Sequence, residues 1–314
     1  MKILVTGGAG FIGSHLCDAL VERGDTVICV DNFDEFYDLK IKERNISGLL
    51  KKKNFILYRN SILENEIMDE IFFKQKPEIV VHLAAKVGVR NSIKKPNSYV
   101  LNNVVGTTNL LSLSVKHNIK NFIMASSSSV YGESSSVPFK EHDHVAFPLS
   151  PYAATKRSAE LIAHSFSKMY NLSIICLRFF TVYGPRGRPD MAPYKFLYSI
   201  HNNKEIEVYG DGKSYRDYTY IYDVIRAILK CTEQKFSYEI INIGNSNPIP
   251  LNGFISIIEK VTRKKAKIKR LPLQPGDVTK TYADITKAKT LLNWKPTTDI
   301  EKGLKETFKY LKEI

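Results

Sequence analysis

The sequence predicts an α/β protein built on a doubly wound parallel sheet, and three observations support this. Short β-branched runs alternate with longer helical patterns through the first half of the chain. The predicted strands are almost entirely apolar, as expected when helices cover a parallel sheet on both faces. A glycine-rich segment joins the first strand directly to the first helix, and the alternation favours right-handed βαβ crossovers.

The alternating elements can be placed along the chain. Strands are predicted at Ile3 to Val5, Val27 to Val30, Phe55 to Tyr58, Ile79 to Leu83, Phe122 to Ala125 and Ile174 to Leu177. Helices are predicted at Phe11 to Arg23, Glu64 to Lys74, Val100 to His117 and Tyr152 to Tyr170. After about Pro185, loops with glycine and proline become frequent, which predicts a smaller C-terminal α/β lobe. Some strands of that lobe could return to the large sheet.

Composition narrows the class of protein. The chain has 314 residues, of which 43% are hydrophobic and 25% charged, and this excludes a disordered or collagen-like protein. The formal net charge of +14 is compatible with nucleic acid, a membrane surface or a phosphorylated small molecule as partner. The basic clusters at 51–53 and 263–270 have neither interleaved aromatic residues nor a recognised nucleic-acid module. We therefore expect solvated surface there and no nucleic-acid partner.

Segment hydropathy and the cysteines indicate the compartment. No segment approaches the roughly 20 apolar residues of a membrane-spanning helix, and the N-terminus does not resemble a secretory signal. The four cysteines are widely spaced and include no CxxC pair. This spacing is typical of reduced thiols rather than of disulfides or a zinc site. We expect a soluble cytoplasmic protein with no metal and no membrane partner.

The glycine-rich segment has the spacing GxxGxxG, with Gly7, Gly10 and Gly13 as its glycines. In a Rossmann-like turn the first glycine permits the tight turn, the second lets a pyrophosphate approach the backbone, and the third allows close helix–strand packing. Phe11 and Ile12 open the helix, whose N–H groups and positive dipole end favour anionic phosphates. The strand–turn–helix context makes this a predicted dinucleotide site.

Asp31 lies at the end of the second predicted strand, 18 residues after Gly13. A carboxylate there would accept hydrogen bonds from both ribose hydroxyls of NAD and repel the 2′-phosphate of NADP. We therefore predict NAD, with Asn32 as a further contact near the adenosine. The alternative is an ordinary strand-end aspartate that caps a turn.

A second group of residues suggests catalysis. Tyr152 and Lys156 have the YxxxK spacing at the start of a predicted helix, so both side chains lie on one helical face. A nearby ammonium stabilises a phenolate. The serines at 126–129 follow the fifth predicted strand, which places their hydroxyls at the carboxyl edge of the sheet, where ligands bind.

Together these motifs resemble the extended short-chain dehydrogenase/reductase family, and within it the nucleotide-sugar 4-epimerases. The likeness covers essentially the whole chain. It also includes His82–Ala85, Val87–Arg90, Val130–Gly132, Leu177–Arg186, Arg216–Tyr218 and Pro275–Asp277. One departure is Ser61-Ile62, where the family commonly has Asp-Ile; Ser61 can still bond adenine, but more weakly.

The resemblance implies a tightly bound NAD and 4-epimerisation of a UDP-sugar through a transient 4-keto intermediate. Tyr152 would take the proton of the sugar 4-hydroxyl as a phenolate. Ser127 would hydrogen-bond the same oxygen, and Lys156 would also reach the nicotinamide ribose. Other cofactor contacts implied by family position are Ser61, Ile62, Leu83, Ala84 and Ala85. Substrate contacts implied in the same way are Arg90, Ser127, Ser128, Ser129, Thr181, Arg188, Arg216 and Asp277.

The resemblance further implies which part of the chain binds which ligand, and that two chains assemble. Residues 1–184 would form the NAD-binding Rossmann domain, and residues 185–314 mainly the nucleotide-sugar-binding lobe. A homodimer would form through the helices predicted at Val100 to His117 and Tyr152 to Tyr170.

The substrate and the reaction have alternatives. Sister dehydratases and decarboxylases usually carry acidic residues where this chain has Ser128 and Ser129, which favours epimerisation. Thr181 and Gln274 depart from UDP-galactose 4-epimerases. Arg188 matches a position that would pair with a uronate carboxylate, so UDP-glucuronate, converted to UDP-galacturonate, is the favoured substrate. Arg188 could instead bind a diphosphate or a neighbouring carboxylate.

Other reactions and classes stay open at this point. UDP-glucose or UDP-N-acetylglucosamine could be the sugar, or the bound sugar could undergo dehydration or decarboxylation. A protein that only senses NAD or binds nucleic acid would have no need of Tyr152, Lys156 and Ser127 together.

Overall fold

The structure is a computed structural model that describes residues 1–132, 137–272 and 280–313. Its strands are β1 Lys2–Thr6, β2 Thr26–Val30, β3 Phe55–Tyr58, β4 Ile79–His82, β5 Asn121–Ser127, β6 Ile174–Phe179, β7 Thr181–Tyr183, β8 Glu205–Tyr209, β9 Tyr215–Tyr220, β10 Tyr238–Ile243, β11 Pro248–Pro250 and β12 Lys267–Leu271. Its α-helices are α1 Phe11–Glu22, α2 Leu39–Ile46, α3 Asn65–Gln75, α4 Val89–Lys94, α5 Pro96–Val100, α6 Gly106–Lys116, α7 Pro151–Tyr170, α8 Ala192–His201, α9 Ile221–Thr232, α10 Leu251–Thr262, α11 Thr286–Leu292 and α12 Ile300–Glu313.

The largest layer is a parallel sheet of seven strands in the order β10–β6–β5–β4–β1–β2–β3. Strand β1 pairs in parallel with β2 on one side and with β4 on the other, so that Val5 faces both Cys29 and Val81. The strand order therefore reverses at β1. In doubly wound sheets ligands bind outside the carboxyl ends of the strands at such a switch point. The predicted fold class is confirmed, with β10 as an additional edge strand.

The interior of this sheet explains why the strands read as apolar runs. Every residue of β4 and β6 is buried, and so are the last four residues of β1 and β2. Helices α3, α6 and α7 pack side chains into one shared core with these strands, including Phe72, Leu110 and Ala163.

The helix that carries the YxxxK pair has well-defined ends. The Ser150 side chain caps α7 by accepting a hydrogen bond from the N–H of Ala153 at 3.2 Å. Pro151 occupies the first turn, where the missing N–H costs nothing. The helix ends at Asn171, which adopts the left-handed conformation with φ 53°.

The helix predicted at Val100 to His117 differs from the structure. Helix α5 begins earlier, at Pro96, and a turn of π-helix at Leu101–Val105 separates it from α6. Periodicity alone does not reveal such a turn, because one wide turn changes the direction of only a few side chains.

The chain folds into two compact units that alternate along the sequence. Of the described residues, 1–132, 144–178 and 225–241 form the first unit, and 137–143, 179–224, 242–272 and 280–313 form the second. Strand β10, from the later part of the chain, lies beside β6 in the large sheet. The functional division at residues 184/185 that is predicted from the sequence stays a prediction.

The second unit has its own small sheets, β11–β9–β7 and β12–β8. Tyr218 of β9 stacks on Phe254 of α10, with ring centroids 4.1 Å apart. The indole of Trp294 donates to the Asp223 carbonyl at 2.9 Å. The Asp223 carboxylate accepts from the backbone N–H groups of Thr297 and Thr298. These contacts hold the chain that leads into α12.

Within 1–132, 137–272 and 280–313, no helix combines the length and apolar character needed to cross a bilayer. The same ranges contain no cluster of three histidine, cysteine or acidic side chains that could hold a metal ion. All four cysteines are buried free thiols.

Candidate active site

Close contacts around the glycine-rich turn leave no room for a Cβ at several of its glycines. Gly7 has φ +71°, and a Cβ on it would lie 2.7 Å from the Ala84 nitrogen. A Cβ on Gly13 would lie 2.1 Å from the Gly7 carbonyl oxygen, which accounts for the third glycine. Sequence reasoning missed Gly8, whose Cβ would lie 2.4 Å from the Cys29 sulfur.

The start of α1 forms a cradle that fits a pyrophosphate. Gly10 precedes the helix without a side chain, and the Ser14 N–H to Gly10 carbonyl bond opens the helical series. The N–H groups of Phe11, Ile12 and Gly13 therefore lie in the first turn, where a helix has no partners of its own for them. Such N–H groups, at the positive end of the dipole, suit an anionic group of a dinucleotide.

The Asp31 carboxylate is buried beside this turn and organises it. One oxygen accepts from the Ala9 N–H at 3.0 Å, and the other from the Phe33 N–H at 2.8 Å. The Lys42 ammonium lies 3.6 Å from Asp31. Both interpretations of Asp31, as a ribose ligand and as a cap of the turn, are thus compatible with the structure. A carboxylate that caps a turn keeps further lone pairs that can accept from ribose hydroxyls. Lys42 was not anticipated.

The remaining predicted cofactor residues lie along the same unit. Asn32 is exposed and accepts from the Asp34 N–H, whereas Ile62 is buried. The Ser61 hydroxyl accepts from the Leu63 N–H, which leaves its own proton to donate. After β4, Leu83 and Ala84 donate their N–H groups to the carbonyl and hydroxyl of Thr6, and Ala85 follows, partly buried.

Strand β5 and helix α7 bring the predicted catalytic residues into one region. The Lys156 ammonium donates to the Ala125 carbonyl at 2.7 Å, two residues before Ser127. Ser127 is buried and accepts from the Ser129 N–H at 3.2 Å. Tyr152 lies one turn before Lys156, and its ring meets Tyr99 edge-on with centroids 6.3 Å apart. Burial lowers the pKa of Lys156 to about 8, although Glu160 acts to raise it.

Glu160 is a residue of this site that sequence reasoning missed. Its carboxylate has no exposed surface and accepts from Ser126 at 2.6 Å, from Arg178 at both oxygens at 2.9 Å, and from Arg157 at 3.0 Å. Burial acts to raise the pKa of Glu160, but these donors, Arg178 foremost, hold it below its ordinary value. The signal was present, because Glu160 continues the i, i+4 series of Tyr152 and Lys156.

Asn103, which lies in the π-turn, is the second missed residue. Its buried amide pairs with both backbone groups of Lys86, at 2.8 and 2.9 Å, and also donates to the Thr155 hydroxyl at 3.0 Å. The loop after β4 and the catalytic helix are therefore joined through one side chain, next to Lys156.

The predicted substrate residues are divided between the units. In the first unit, Ser128 and Ser129 form a short 3₁₀ turn after Ser127 and are partly buried, and Arg90 is exposed on α4. In the second unit, Thr181 begins β7 opposite Tyr218, and Arg188 and Arg216 lie in the same unit. Asp277 and Gln274 lie outside the described residues.

Arg188 already holds a carboxylate in the structure. Its Nε donates to one Asp190 oxygen at 3.0 Å and its Nη2 to the other at 2.5 Å. This is the planar, two-pronged geometry with which arginine binds a carboxylate. The neighbouring carboxylate that the sequence left open as an alternative is therefore a partner of Arg188.

Asp217, next to Arg216, serves the architecture of the second unit. It is fully buried and accepts from the N–H groups of Asn245, Ser246 and Ala283 at 2.7–3.0 Å. Burial raises its pKa to about 6, although these three donors act in the opposite direction.

A Rossmann-like sheet, a glycine-rich first turn and a Tyr–Lys pair beside a serine-tipped strand define the short-chain dehydrogenase/reductase class. The chain belongs to the GDP-mannose 4,6 dehydratase family, whose model matches residues 4–307.

Several known proteins similar to this chain are sugar-nucleotide epimerases. A UDP-glucuronate 4-epimerase of Thermodesulfobacterium geofontis is 44% identical over 99% of this chain and 96% of its own length. The structure of a UDP-glucuronic acid 4-epimerase from Bacillus cereus, in complex with UDP-glucuronic acid and NAD, superimposes with a TM-score of 0.94. It is 40% identical and covers 100% of this chain and 99% of its own. A UDP-glucose 4-epimerase of Thermotoga maritima with UDP-glucose gives a TM-score of 0.92 and 36% identity, covering 100% of this chain and 99% of its own.

Replacing Lys156 with methionine should stabilise the protein at neutral pH. The buried ammonium is costly below its folded pKa of about 8. Between pH 8 and 10.5 only the unfolded chain still holds the proton, so the wild-type free energy of unfolding rises with pH there. Lys156→Met removes this cost and should raise the free energy of unfolding by about 1–2 kcal/mol at pH 7. The advantage should shrink towards pH 10.5.

Urea unfolding at a series of pH values measures this difference. Lys168→Met is the matched control, because Lys168 is exposed on the same helix and its loss should change stability little. A Lys156→Met variant that is less stable than the wild type at pH 7 and above would contradict the expected burial cost.

Proposed function

We propose that this protein is a NAD-dependent UDP-sugar 4-epimerase that converts UDP-glucuronate to UDP-galacturonate. The observation that carries the proposal is the junction of β5 and α7. There the Lys156 ammonium donates to the carbonyl of Ala125, two residues before Ser127, and Lys156 itself lies one helical turn after Tyr152. The similarity to epimerases over the whole chain supports the same assignment.

The protein's own groups move one proton and hold one oxygen. Tyr152, as a phenolate, takes the proton of the sugar 4-hydroxyl and later returns it, and Ser127 hydrogen-bonds the same oxygen. The Lys156 ammonium stabilises the phenolate electrostatically. Bound NAD would supply the hydride acceptor for sugar carbon 4 and give the hydride back on the other face. General acid–base assistance of this kind contributes roughly 10²–10⁴-fold to a rate.

The first unit supplies the features that suit NAD. The cradle at the start of α1, together with the glycines Gly7, Gly10 and Gly13, accommodates the pyrophosphate of NAD. The Asp31 carboxylate accepts hydrogen bonds from the hydroxyls of the adenosine ribose. A buried carboxylate at this position disfavours the additional phosphate of NADP.

The hydroxyl-bearing turn after β5 favours epimerisation over elimination. Loss of water from a neutral 4-keto hexose requires an acid and a base near carbons 5 and 6, and Ser128 and Ser129 provide neither at neutral pH. The 4-keto sugar therefore turns over and is reduced again. Arg216 holds the diphosphate and Asp277 the uridine ribose during this turn.

Thr181 and Arg188 account for a uronate substrate. Oxidation of carbon 4 in a uronate creates a β-keto acid, which loses carbon dioxide when the breaking bond aligns with the ketone. The Arg188 guanidinium donates to both oxygens of the Asp190 carboxylate. On substrate binding, Arg188 exchanges Asp190 for the sugar carboxylate and keeps the bond to that carboxylate out of alignment with the ketone. Thr181 assists as a second hydrogen-bond partner.

The cellular setting follows from the same features. The four free buried thiols are typical of a reducing compartment, so we assign the protein to the cytoplasm, without a nucleic-acid or membrane partner. Residues 1–184 serve NAD, and residues 185–314 mainly serve the UDP-sugar.

Helices of the first unit carry the surface of a homodimer. Leu101 and Val105 in the π-turn are 51% and 41% exposed, and Leu161 and Met169 on α7 are 53% and 70% exposed. Exposed apolar side chains on neighbouring helices are typical of subunit interfaces. We call Leu101, Val105, Leu161 and Met169 the dimer face. Two copies related by a twofold axis bury it against itself.

Turnover of UDP-sugars tests the function. Purified protein is incubated separately with UDP-glucuronate, UDP-galactose and their N-acetyl analogues, and NMR resolves the products. UDP-galacturonate should form from UDP-glucuronate, and Tyr152→Phe should lower the rate by about 10²–10⁴-fold. Tyr170→Phe, at the exposed end of the same helix, should leave the rate unchanged. Turnover of neutral sugars alone would overturn the proposed substrate.

The carboxylate clamp is tested by two substitutions with opposite expectations. Arg188→Ala should raise the KM for UDP-glucuronate about tenfold or more, since a hydrogen-bonded ion pair to substrate is lost, and should divert product to the decarboxylated 4-keto pentose. Asp190→Asn, which removes the competing carboxylate, should preserve or improve the KM. Unchanged turnover and product partition in Arg188→Ala would refute the clamp, as would equal losses in both variants.

The dimer is tested by charge on the dimer face. Wild-type protein should sediment with twice the chain mass of 35.7 kDa, and the double variant Leu101→Glu/Leu161→Glu should sediment as a monomer because two charges would be buried. Phe73→Glu on α3, which is 73% exposed outside this face, is the control and should remain dimeric. A wild-type monomer at micromolar concentration would disprove the assembly.

A further inference from the structure

A continuous chain of buried and partly buried hydrogen bonds joins β1 and β4 to helix α6 at the switch point of the sheet. The Ala84 N–H donates to the Thr6 hydroxyl at 3.2 Å, and that hydroxyl lies 2.8 Å from His82 Nδ1. On the other side of the ring, His82 Nε2 lies 2.9 Å from the Thr107 hydroxyl, which donates to the Asn103 carbonyl at 2.7 Å. We call these five residues the His82 relay.

The proton count of the relay selects one tautomer of His82. Thr107 has one hydroxyl proton and donates it to Asn103, so His82 Nε2 has to be the donor towards Thr107. His82 Nδ1 is then an acceptor and receives the Thr6 proton, while Thr6 accepts from Ala84. The opposite tautomer would need the Thr107 proton for Nε2, which would deprive the Asn103 carbonyl of it.

The two ends of the relay lie at the two halves of the proposed site. Thr6 directly precedes Gly7, and Ala84 is the residue whose nitrogen would meet a Cβ on Gly7 at 2.7 Å. At the other end, the Asn103 amide holds Thr155, the residue before Lys156. A small displacement of the His82 ring would therefore move the glycine-rich turn and the catalytic helix relative to each other.

We propose that His82 is a positioning residue, whose Nε2–H tautomer locks the glycine-rich turn and the loop after β4 in register with the helix carrying Tyr152 and Lys156. It touches neither substrate nor the reacting atoms in this role. The effect on turnover rests on the proposed function, whereas the tautomer does not.

The surroundings of His82 suit a fixed neutral ring. Its side chain is 3% exposed and packs against Phe122, with ring centroids 6.0 Å apart. Burial, together with the smaller effect of the Lys156 ammonium, lowers the pKa of His82 to about 3. Thr6 and Thr107, which flank the ring, do not titrate, so the relay keeps one set of protons from pH 5 to pH 8.

Nitrogen-15 NMR of protein labelled at histidine reads the tautomer directly, and the resonance missing from His82→Gln assigns the signal among the seven histidines. We expect a neutral ring with the proton on Nε2 and no titration between pH 5 and pH 8. A proton on Nδ1, or titration in that range, would overturn the proposal, and neither result depends on turnover.

The coupling is tested by a matched pair on α6. Thr107 and Ser114 are both buried hydroxyls that donate to the carbonyl four residues earlier, but Thr107 alone of the two also faces His82. Thr107→Val should lower kcat and the occupancy of co-purified NAD, each by about tenfold, with the KM for UDP-glucuronate unchanged. Ser114→Ala should match the wild type in all three.

The outcomes separate this inference from the proposed function. Equal effects of Thr107→Val and Ser114→Ala, or an effect on KM alone, would refute the coupling. If the wild type turns over no UDP-sugar, the proposed function fails, whereas the tautomer and the NAD occupancy of the variants still decide the role of His82.

Discussion

The carboxylate of Glu160 is the constraint on which the catalytic region depends. A charge with no access to water is tolerated in a protein only when partners satisfy it, and removing one partner from a buried ion pair is strongly destabilising. Glu160 meets this requirement with donors from three places: Ser126 on β5, Arg178 on β6, and Arg157 on its own helix. Helix α7 consequently has one stable register against the sheet. That register places Lys156 at the Ala125 carbonyl and Tyr152 one helical turn earlier.

Much of this arrangement could be predicted from local sequence. The alternation of apolar strands and helices, the glycine spacing and the YxxxK pair each depend on residues within about a dozen positions of one another. Such patterns determine which face of a helix is buried and where a tight turn can form. The fold class was predicted correctly for this reason.

The features that could not be predicted involve partners that are distant in the chain. Glu160 and Arg178 belong to a helix and a strand, and only the folded sheet brings their charges together. Asn103, in the π-turn, pairs with the backbone of Lys86, 17 residues earlier. The pairing of Arg188 with Asp190 is local, but the sequence offered that arginine other anions as well and favoured the carboxylate of a uronate.

The position of β10 in the chain has a consequence for synthesis. This edge strand is made about sixty residues after its neighbour β6, once most of the chain has left the ribosome. Until then β6, whose side chains are apolar except for Arg178, presents a row of unpaired backbone groups, the kind of edge that associates with other nascent chains. Neither compact unit is a continuous stretch of sequence. The first unit therefore cannot be completed during translation by its N-terminal residues alone. A shortened gene that ends after β6 would encode a sheet whose β6 edge stays unpaired and prone to association.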